Sequence, residues 1–545
     1  MRYIILFFFV GVIGISSVAA GQEDGGQSNP AAAAPSEQAT GDLYAGGRAL
    51  AAKYCSICHL EPAPAILPKR SWEPLLGYMG YHLGITDISY LASHPPYVMP
   101  NVESKYRILK RDFALPDSPA LKPDEWAALR RYYLANAPAT PLPQLGKPPL
   151  NWNLPQFDIV ESDYSVRVAV TTMVHIREAT REVYIGDAMN RTLAVLDHNG
   201  QTKSPPMRLV PEISPVDIEF EGTTAYIASI GDLTGLKPLL AKPGLISSVR
   251  LANHRIVPET SKVVLKDLFR LAGMVVADLN QDRRLDFVVC EFGGVFGRFS
   301  WFEAEVNGEF LQHVLMSLPG AVAVEAHDLD RDGRDDLLVL VADAREGLHL
   351  FVNEGGRGFA HQPLFETGPS YGHTRFQLQD FNGDGLTDVL VANGDNIDSD
   401  PYNTPKNYHG IRIYLNRGDF KFEEAYFYPM YGAFDARAAD FDGDGDLDIA
   451  AIAFYPDYEA ESWESFAYLE NRGGFDFVPY TNETVMGGRW LTMDVGDIDG
   501  DQDPDVVLGG AYIPVGMLAH MAVFQRLLRS GPQVLVLKNN RSRRE

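Results

Sequence analysis

A chain of 545 residues with 72 Asp and Glu against 47 Lys and Arg carries a formal net charge of −25. The length exceeds what one ordinary core fills, so two or more domains are expected, and the charge argues against nucleic acid as a partner. Aromatic residues, 49 Gly and 36 Pro are spread along the chain, as in an all-β protein with many turns.

The N-terminus reads as an export signal over residues 1–20. Arg2 is followed by the apolar run Tyr3 to Ile15 and the small-residue site Val18-Ala19-Ala20. The run is short for a membrane span, so no span is expected after cleavage, and a periplasmic or secreted location follows. An uncleaved signal would instead anchor the chain. Residues 21–41 contain almost no large apolar side chain and are expected to be a disordered linker.

Residues 42–145 carry Cys55-Ser56-Ile57-Cys58-His59 after a helical stretch, Leu43 to Tyr54. Cys-x-x-Cys-His is the attachment signature of haem c: both thiols bond the haem and the adjacent His reaches the iron. A thioredoxin-like pair needs a βαβ context, and a zinc site needs a second Cys pair; the chain has neither, since its third cysteine, Cys290, lies far away behind Phe287-Val288-Val289. Cys290 is expected to be a buried free thiol. Three cysteines give no disulfide framework.

This segment resembles a class I cytochrome c domain. The resemblance rests on Gly46-Gly47 and Leu50 leading into Cys55–His59, on Pro62 and Pro64, and on the closing helix Pro123 to Asn136. It implies one covalent haem, with the closing helix crossing the first helix beside it. It leaves two methionines for the distal position. Met79 lies in the expected helix Ser71 to Leu83, and Met99-Pro100 resembles the family's Met-Pro loop; His82 and His94 are further candidates.

Residues 146–160 belong to a proline-rich stretch expected to be an extended linker. From 161 to 545 the pattern turns to strands. Tyr164 to Val170, Glu182 to Ile185 and Thr192 to Leu196 form a first unit; Pro215 to Phe220 and Ala225 to Ala228 open a second.

Five further units share an acidic loop. The clearest copy is Asp440, Asp442, Asp444 and Asp448, with Gly445 at the sixth position; the others are Asp278, Asn280, Asp282 and Asp286; Asp328, Asp330, Asp332 and Asp336; Asp380, Asn382, Asp384 and Asp388; and Asp497, Asp499, Asp501 and Asp505. Alternate carboxylates in a tight loop repel one another unless a cation sits between them, and hard oxygen donors suit Ca²⁺. A short apolar strand follows each loop, not the helix and bidentate Glu of an EF-hand. In two copies Arg283 and Gln502 stand where the turn glycine belongs.

Starts near 165, 217, 278, 328, 380, 440 and 497 make seven units, and the later ones end alike, in Asn353, Asn416, Asn471 and Asn539. A period of this size fits one four-stranded propeller blade. The units resemble FG-GAP/VCBS repeats of the integrin-α type. That resemblance implies up to five Ca²⁺ ions between the first two strands of the blades. The expected fold is thus multidomain: a small all-α cytochrome c domain followed by a seven-bladed all-β propeller.

The segment before each loop is expected to approach the central channel, bringing His327, His373, Arg375, Asp435, Arg437 and Arg489-Trp490 there. The inserts add Asp395, Asn396, Asp398 and His409. No nucleophile–base signature or phosphate loop accompanies them. The expected function is electron transfer by an exported c-type cytochrome, with a redox partner protein and a ligand or partner docked on the propeller. The alternatives are a haem-dependent oxidoreductase with its substrate in the channel, and a binding or adhesion module with a haem sensor.

Overall fold

The computed structural model describes residues 44–541, apart from 113–114, 210, 212, 232–242, 254, 294–295, 397–399 and 461. The expected signal (1–20), the linker (21–41) and Asp398 lie outside the described residues.

Four helices come first: α1 (Ala45–Tyr54), α2 (Lys69–His82), α3 (Val98–Asp112) and α4 (Pro123–Asn136). Pro123 opens α4, where its missing N–H costs nothing, and Glu125 accepts from the Lys122 N–H at 2.8 Å to close that end. Helices α1 and α4 cross at Gly47. A Cβ there would stand 2.5 Å from the Ala128 carbonyl oxygen, so only glycine permits this approach. Trp72, Leu76, Leu129 and Tyr133 fill the core between α1, α2 and α4, and Trp72 donates to the Pro64 carbonyl at 2.8 Å.

Seven four-stranded antiparallel sheets follow, arranged as the blades of a propeller. The inner strands are Thr171–Arg177, Pro215–Glu221, Leu271–Ala277, Ala321–His327, His373–Gln379, Ala433–Ala439 and Trp490–Gly496. In every blade the second strand is the most buried, as in Asp336–Val341 and Asp448–Ala453. Apolar side chains from adjoining sheets interlock; Leu390, Ile411 and Ile413 of blade five pack on Ala436, Ile449 and Leu469 of blade six.

Two sequence expectations are corrected. Tyr164 to Val170 is not a strand; the inner strand of blade one begins at Thr171, and 164–170 is an extended approach to it. The segment read as the end of a linker contains Phe157–Glu161, which pairs with Val534–Asn539 and supplies the outermost strand of blade seven. The last blade thus takes three strands from the C-terminal end of the chain and one from before blade one. This joins the ends of the ring and pairs the outer side of Val534–Asn539.

Short helices α5 (Glu483–Met486) and α6 (Met521–Ser530) are inserted around blade seven. The insert before α6 is held by Arg489, which is fully buried. Its guanidinium donates to the carbonyls of Phe454, Ile513 and Val515 at 3.1, 2.6 and 2.6 Å. It also lies 3.6 Å above the Phe454 ring. Arg489→Ala leaves three buried carbonyls without donors and is expected to cost about 3 kcal/mol or more. A thermal or urea unfolding curve checks this.

Strand alternation places the acidic loops, which join first to second strands, at one end of the propeller. The helical unit sits at the other. Ser71 of α2 is hydrogen-bonded to Thr404 at 2.7 Å, His94 to Tyr402, and the guanidinium of Arg70 stacks over the Tyr402 ring at 5.4 Å. Tyr402 and Thr404 lie between the second and third strands of blade five. Gln144, on the connector, donates to Tyr431 and to the His409 carbonyl.

Candidate functional site

Three groups of side chains carry the chemistry: the Cys55–His59 turn, the acidic loops and the channel wall.

Cys55 caps the C-terminal end of α1, its N–H bonded to the Ala51 carbonyl at 2.8 Å. The chain then turns through Cys58 to His59. All three cysteines are free thiols, and Cys290 is buried as expected. Burial pushes the Cys55 thiol up to about 11 and raises Cys58 as well, so both are protonated and unsuited to thiolate chemistry. The His59 Nδ1 lies 2.9 Å from the Leu60 carbonyl. This makes Nδ1 the N–H donor and leaves the Nε2 lone pair free to bind a metal. Burial keeps His59 neutral. His82, on α2, is held down to about 4 by burial and by His59. Ile57 and Leu60 are 55% and 42% exposed on either side of Cys58 and His59. Two thiols, a neutral imidazole with a fixed tautomer and an uncovered apolar rim are a donor set that fits a covalently held haem.

The candidate distal residues separate. Met79 is in α2 and half-buried against Tyr78, Tyr81 and Leu91. Met99 is not in a loop; it lies in the first turn of α3 and packs on the same cluster. His94 is committed elsewhere: its Nε2 meets the Glu73 carboxylate at 2.7 Å while its Nδ1 meets Tyr402.

The five acidic loops share one conformation. In each, the N–H of the sixth residue donates to Oδ2 of the first: Arg283 to Asp278, Gly333 to Asp328, Gly385 to Asp380, Gly445 to Asp440 and Gln502 to Asp497, at 2.7–3.2 Å. The sixth residue is left-handed throughout, with φ of 87, 82 and 97° at Gly333, Gly385 and Gly445, and 68 and 73° at Arg283 and Gln502. The two copies without glycine therefore keep the turn at a small cost in backbone strain. Carboxylate oxygens converge in three loops, Asp328/Asp330/Asp332, Asp440/Asp442/Asp444 and Asp497/Asp499/Asp501, to within 4.8 Å of one another. Asn280 and Asn382 take the third place in the other two. The donor chemistry, all hard oxygen, fits Ca²⁺.

The ninth-position residues stand apart from these triplets. Asp286, Asp336, Asp388, Asp448 and Asp505 begin the second strands and are buried. Their carboxylates accept backbone N–H groups. Asp448 takes Phe441 at 3.2 Å and Asn471 at 2.7 Å; Asp505 takes Ile498 at 3.0 Å and Asn539 at 2.8 Å. Asp336 and Asp388 repeat the pattern with Asn353 and Asn416. The recurring Asn at the third-strand end is thus the partner of the recurring Asp. Its side chain also donates back to the residue before that Asp, as Asn471 does to Leu447. Burial raises Asp448 and Asp505 to about 7.

The channel is lined by two tiers. Met173, Asp217, Gly273, Ala323, Arg375, Asp435 and Thr492 occupy equivalent registers, each just past the irregularity near the start of its inner strand. His175, Glu219, Val275, Glu325, Gln377, Arg437 and Asp494 follow two residues on. Several of these polar groups bind one blade to the next. Asp217 accepts from Met274 at 2.9 Å, Gln377 from Ala438 at 2.7 Å and Asp494 from Ile176 at 2.7 Å. A cavity of about 180 Å³ remains between them. Of the residues expected at the channel, Arg375 and Arg437 line that cavity and Asp435 shares the tier of Arg375. Arg489 clasps loops, Trp490 lies in the core, and His373 and His409 are buried within blade five. His175, Asp217, Glu219 and Glu325 line the channel without having been singled out; the alternation of the inner strands was the signal for them.

Burial and the neighbouring Asp217 push Glu219 up to about 8. Its folded value therefore lies above the ordinary carboxyl value, and the folded state holds a proton that the unfolded state has lost. That contribution is lost as pH rises from about 4.3 through 8. Glu219→Gln is expected to flatten the decline in melting temperature between these limits; an unchanged slope would refute the assignment.

The FG-GAP-like repeat family matches this chain at 278–339, 328–391 and 380–451. Residues 278–451 are FG-GAP-like repeats. They span the acidic loops of blades three to six. Among solved structures the chain is similar to a protein from Lactobacillus plantarum, at 11% identity and a TM-score of 0.36 over 62% of this chain and 87% of that one. It is also similar to a chain in a nidogen/laminin complex, at 10% identity and a TM-score of 0.32 over 55% and 92%. No curated protein matches.

Proposed function

We propose that this protein is an exported electron carrier in which the helical unit holds one haem c and the calcium-bound propeller presents it to a partner. The observation that carries this reading is the Cys55–His59 turn: two protonated thiols and a neutral imidazole at the end of α1, beside the α1–α4 crossing. Cys55 and Cys58 would form the thioether bonds and His59 the proximal contact through Nε2. Bound there, the group supplies one-electron Fe(III)/Fe(II) chemistry. Leu60 holds the His59 tautomer, and Tyr133, near Cys55, shields that thiol from water. Met79 and Met99, on adjacent helices, would be the candidates for the iron's second protein ligand, with His82 near His59.

In the propeller, Asp440/Asp442/Asp444 would hold Ca²⁺ most firmly, because five aspartates and no arginine lie between its first and ninth positions; the Asp497 loop has as many aspartates, but its Asp499 is paired with Lys538 at 3.6 Å. In the Asp328 loop the Arg334 guanidinium is paired with Asp332. A metal that binds the folded loop adds to stability by mass action.

The second reading is a binding or adhesion module that needs no haem. The FG-GAP-like repeats favour it, since a propeller built of such repeats is suited to docking a partner.

Optical spectra of the haem-matured protein, oxidised and reduced, with and without carbon monoxide, test both. A low-spin spectrum unmoved by carbon monoxide supports the carrier. A high-spin or readily ligated iron turns the reading to catalysis or sensing. Absence of haem after expression with the maturation machinery leaves the binding module.

A further inference from the structure

A further site lies in the propeller channel, and it rests on neither the haem nor the loop metal. In the tier that begins with Met173, blades three and four contribute Gly273 and Ala323, too small to fill the wall. The cavity of about 180 Å³ opens over them. A Cβ built on Gly273 would stand 3.7 Å from Oδ2 of Asp217, so the gap adjoins that carboxylate. The volume is below the ~300 Å³ of a drug-sized pocket and suits a small molecule.

The two sides of the cavity differ in charge. Blade two brings Asp217 and Glu219, and blade five brings Arg375. These blades are three apart in a ring of seven, so the groups face one another across the channel. Asp217 is fixed by the N–H groups of Ile218 and Met274, both at 2.9 Å, and its oxygens keep further lone pairs. Arg375 supplies the main positive charge acting on it. A guanidinium has five N–H donors; among the described residues Arg375 makes one side-chain hydrogen bond, to the Val322 carbonyl at 3.3 Å. The other ionisable wall groups are engaged. Arg437 is paired with Asp435 at 3.3 Å, Glu325 accepts from the Leu378 N–H, and His175 packs on the Phe220 ring. A simple anion on Arg375 would face the blade-two carboxyls, and a simple cation on those would face Arg375. A molecule with an anionic group at one end and N–H donors on a cation at the other satisfies both sides.

We propose that the propeller channel binds a small amino-acid zwitterion, with its carboxylate on Arg375 and its ammonium on Asp217 and Glu219. Gly273 and Ala323 make the room for it, and the span between blades two and five sets the separation of its charges.

The test is isothermal titration calorimetry of the full chain in saturating Ca²⁺, so that the loops do not contribute. The probes are glycine, β-alanine, γ-aminobutyrate and ε-aminocaproate, with butylamine and butyrate as controls carrying one charge each. One length is expected to bind best, about tenfold or more tighter than either control, because a contact to a charged group is worth at least that factor. Arg375→Met should weaken that probe about tenfold or more. Ala323→Leu fills the cavity with every charge in place and should abolish binding. Melting curves show that each variant is folded. The proposal is overturned if no probe binds, or if butylamine or butyrate binds as tightly as the best zwitterion, which would make the channel a site for a simple cation or anion. It is also overturned if either variant, with its melting transition intact, binds as the parent does. Failure here leaves the haem reading standing, since no haem spectrum depends on the channel.

Discussion

Protein carrying Cys55→Ala and Cys58→Ala is expected to lack covalent haem entirely, with the propeller still folded. The reason lies in how the cores divide. Cys55 packs with Leu50, Trp72, Leu129 and Tyr133, a cluster made only of helical-unit residues. The blade cores are built from strand residues joined by Leu150 and Leu154 of the connector. The contacts between the two parts are polar pairs, such as Ser71 with Thr404, together with Phe296 packed on the Tyr78, Tyr81 and Leu91 cluster, and these involve none of Cys55, Cys58 and His59. A denaturing gel stained for haem should show complete loss. A thermal scan should retain a transition that moves with Ca²⁺. Retention of covalent haem would remove the proposed attachment, and loss of the calcium-dependent transition would show that the two parts fold as one unit.

Asp448→Ala is expected to be the most damaging single change in the acidic loops, with or without calcium. It strips acceptors from the Phe441 N–H, the Asn471 N–H and the Tyr468 hydroxyl, the last at 2.8 Å. Each buried donor left without a partner costs about 1–3 kcal/mol, so the total should reach about 3 kcal/mol or more. Asp444→Ala is the contrast. Asp444 is an exposed member of the triplet, so its loss should lower stability in Ca²⁺ and make little difference in a chelator. Unfolding curves of both variants in Ca²⁺ and in EGTA separate the two roles. If Asp448→Ala were harmful only in Ca²⁺, the ninth position would be a metal ligand first and a backbone clasp second.

Much of this protein was legible before any coordinates. Repetition did the work. Five loops with carboxylates at fixed offsets and four strand ends closing in Asn defined the blades, because each blade must bury the same faces and satisfy the same turns. Helical spacing placed α4, from Pro123 to Asn136, at the boundaries the structure shows, and the spacing of Cys55, Cys58 and His59 marked the end of α1. These are local signals, carried by contiguous residues.

What the sequence left open is long-range. Nothing in Phe157–Glu161 says that it pairs with Val534–Asn539, because the pairing joins the two ends of the ring and only closure demands it. The Met-Pro resemblance suggested a loop at Met99, yet α3 begins at Val98 because Val98, Val102 and Leu109 bury one face of it. The ninth-position Asp looked like a fourth ligand in the primary structure. In the structure its carboxylate also has a partner from the third strand, the N–H of Asn471 or Asn539, which arrives from more than twenty residues away. Composition and spacing determined the kinds of element and the chemistry of their side chains; the partners of those side chains were decided by which strands the closed ring brings side by side.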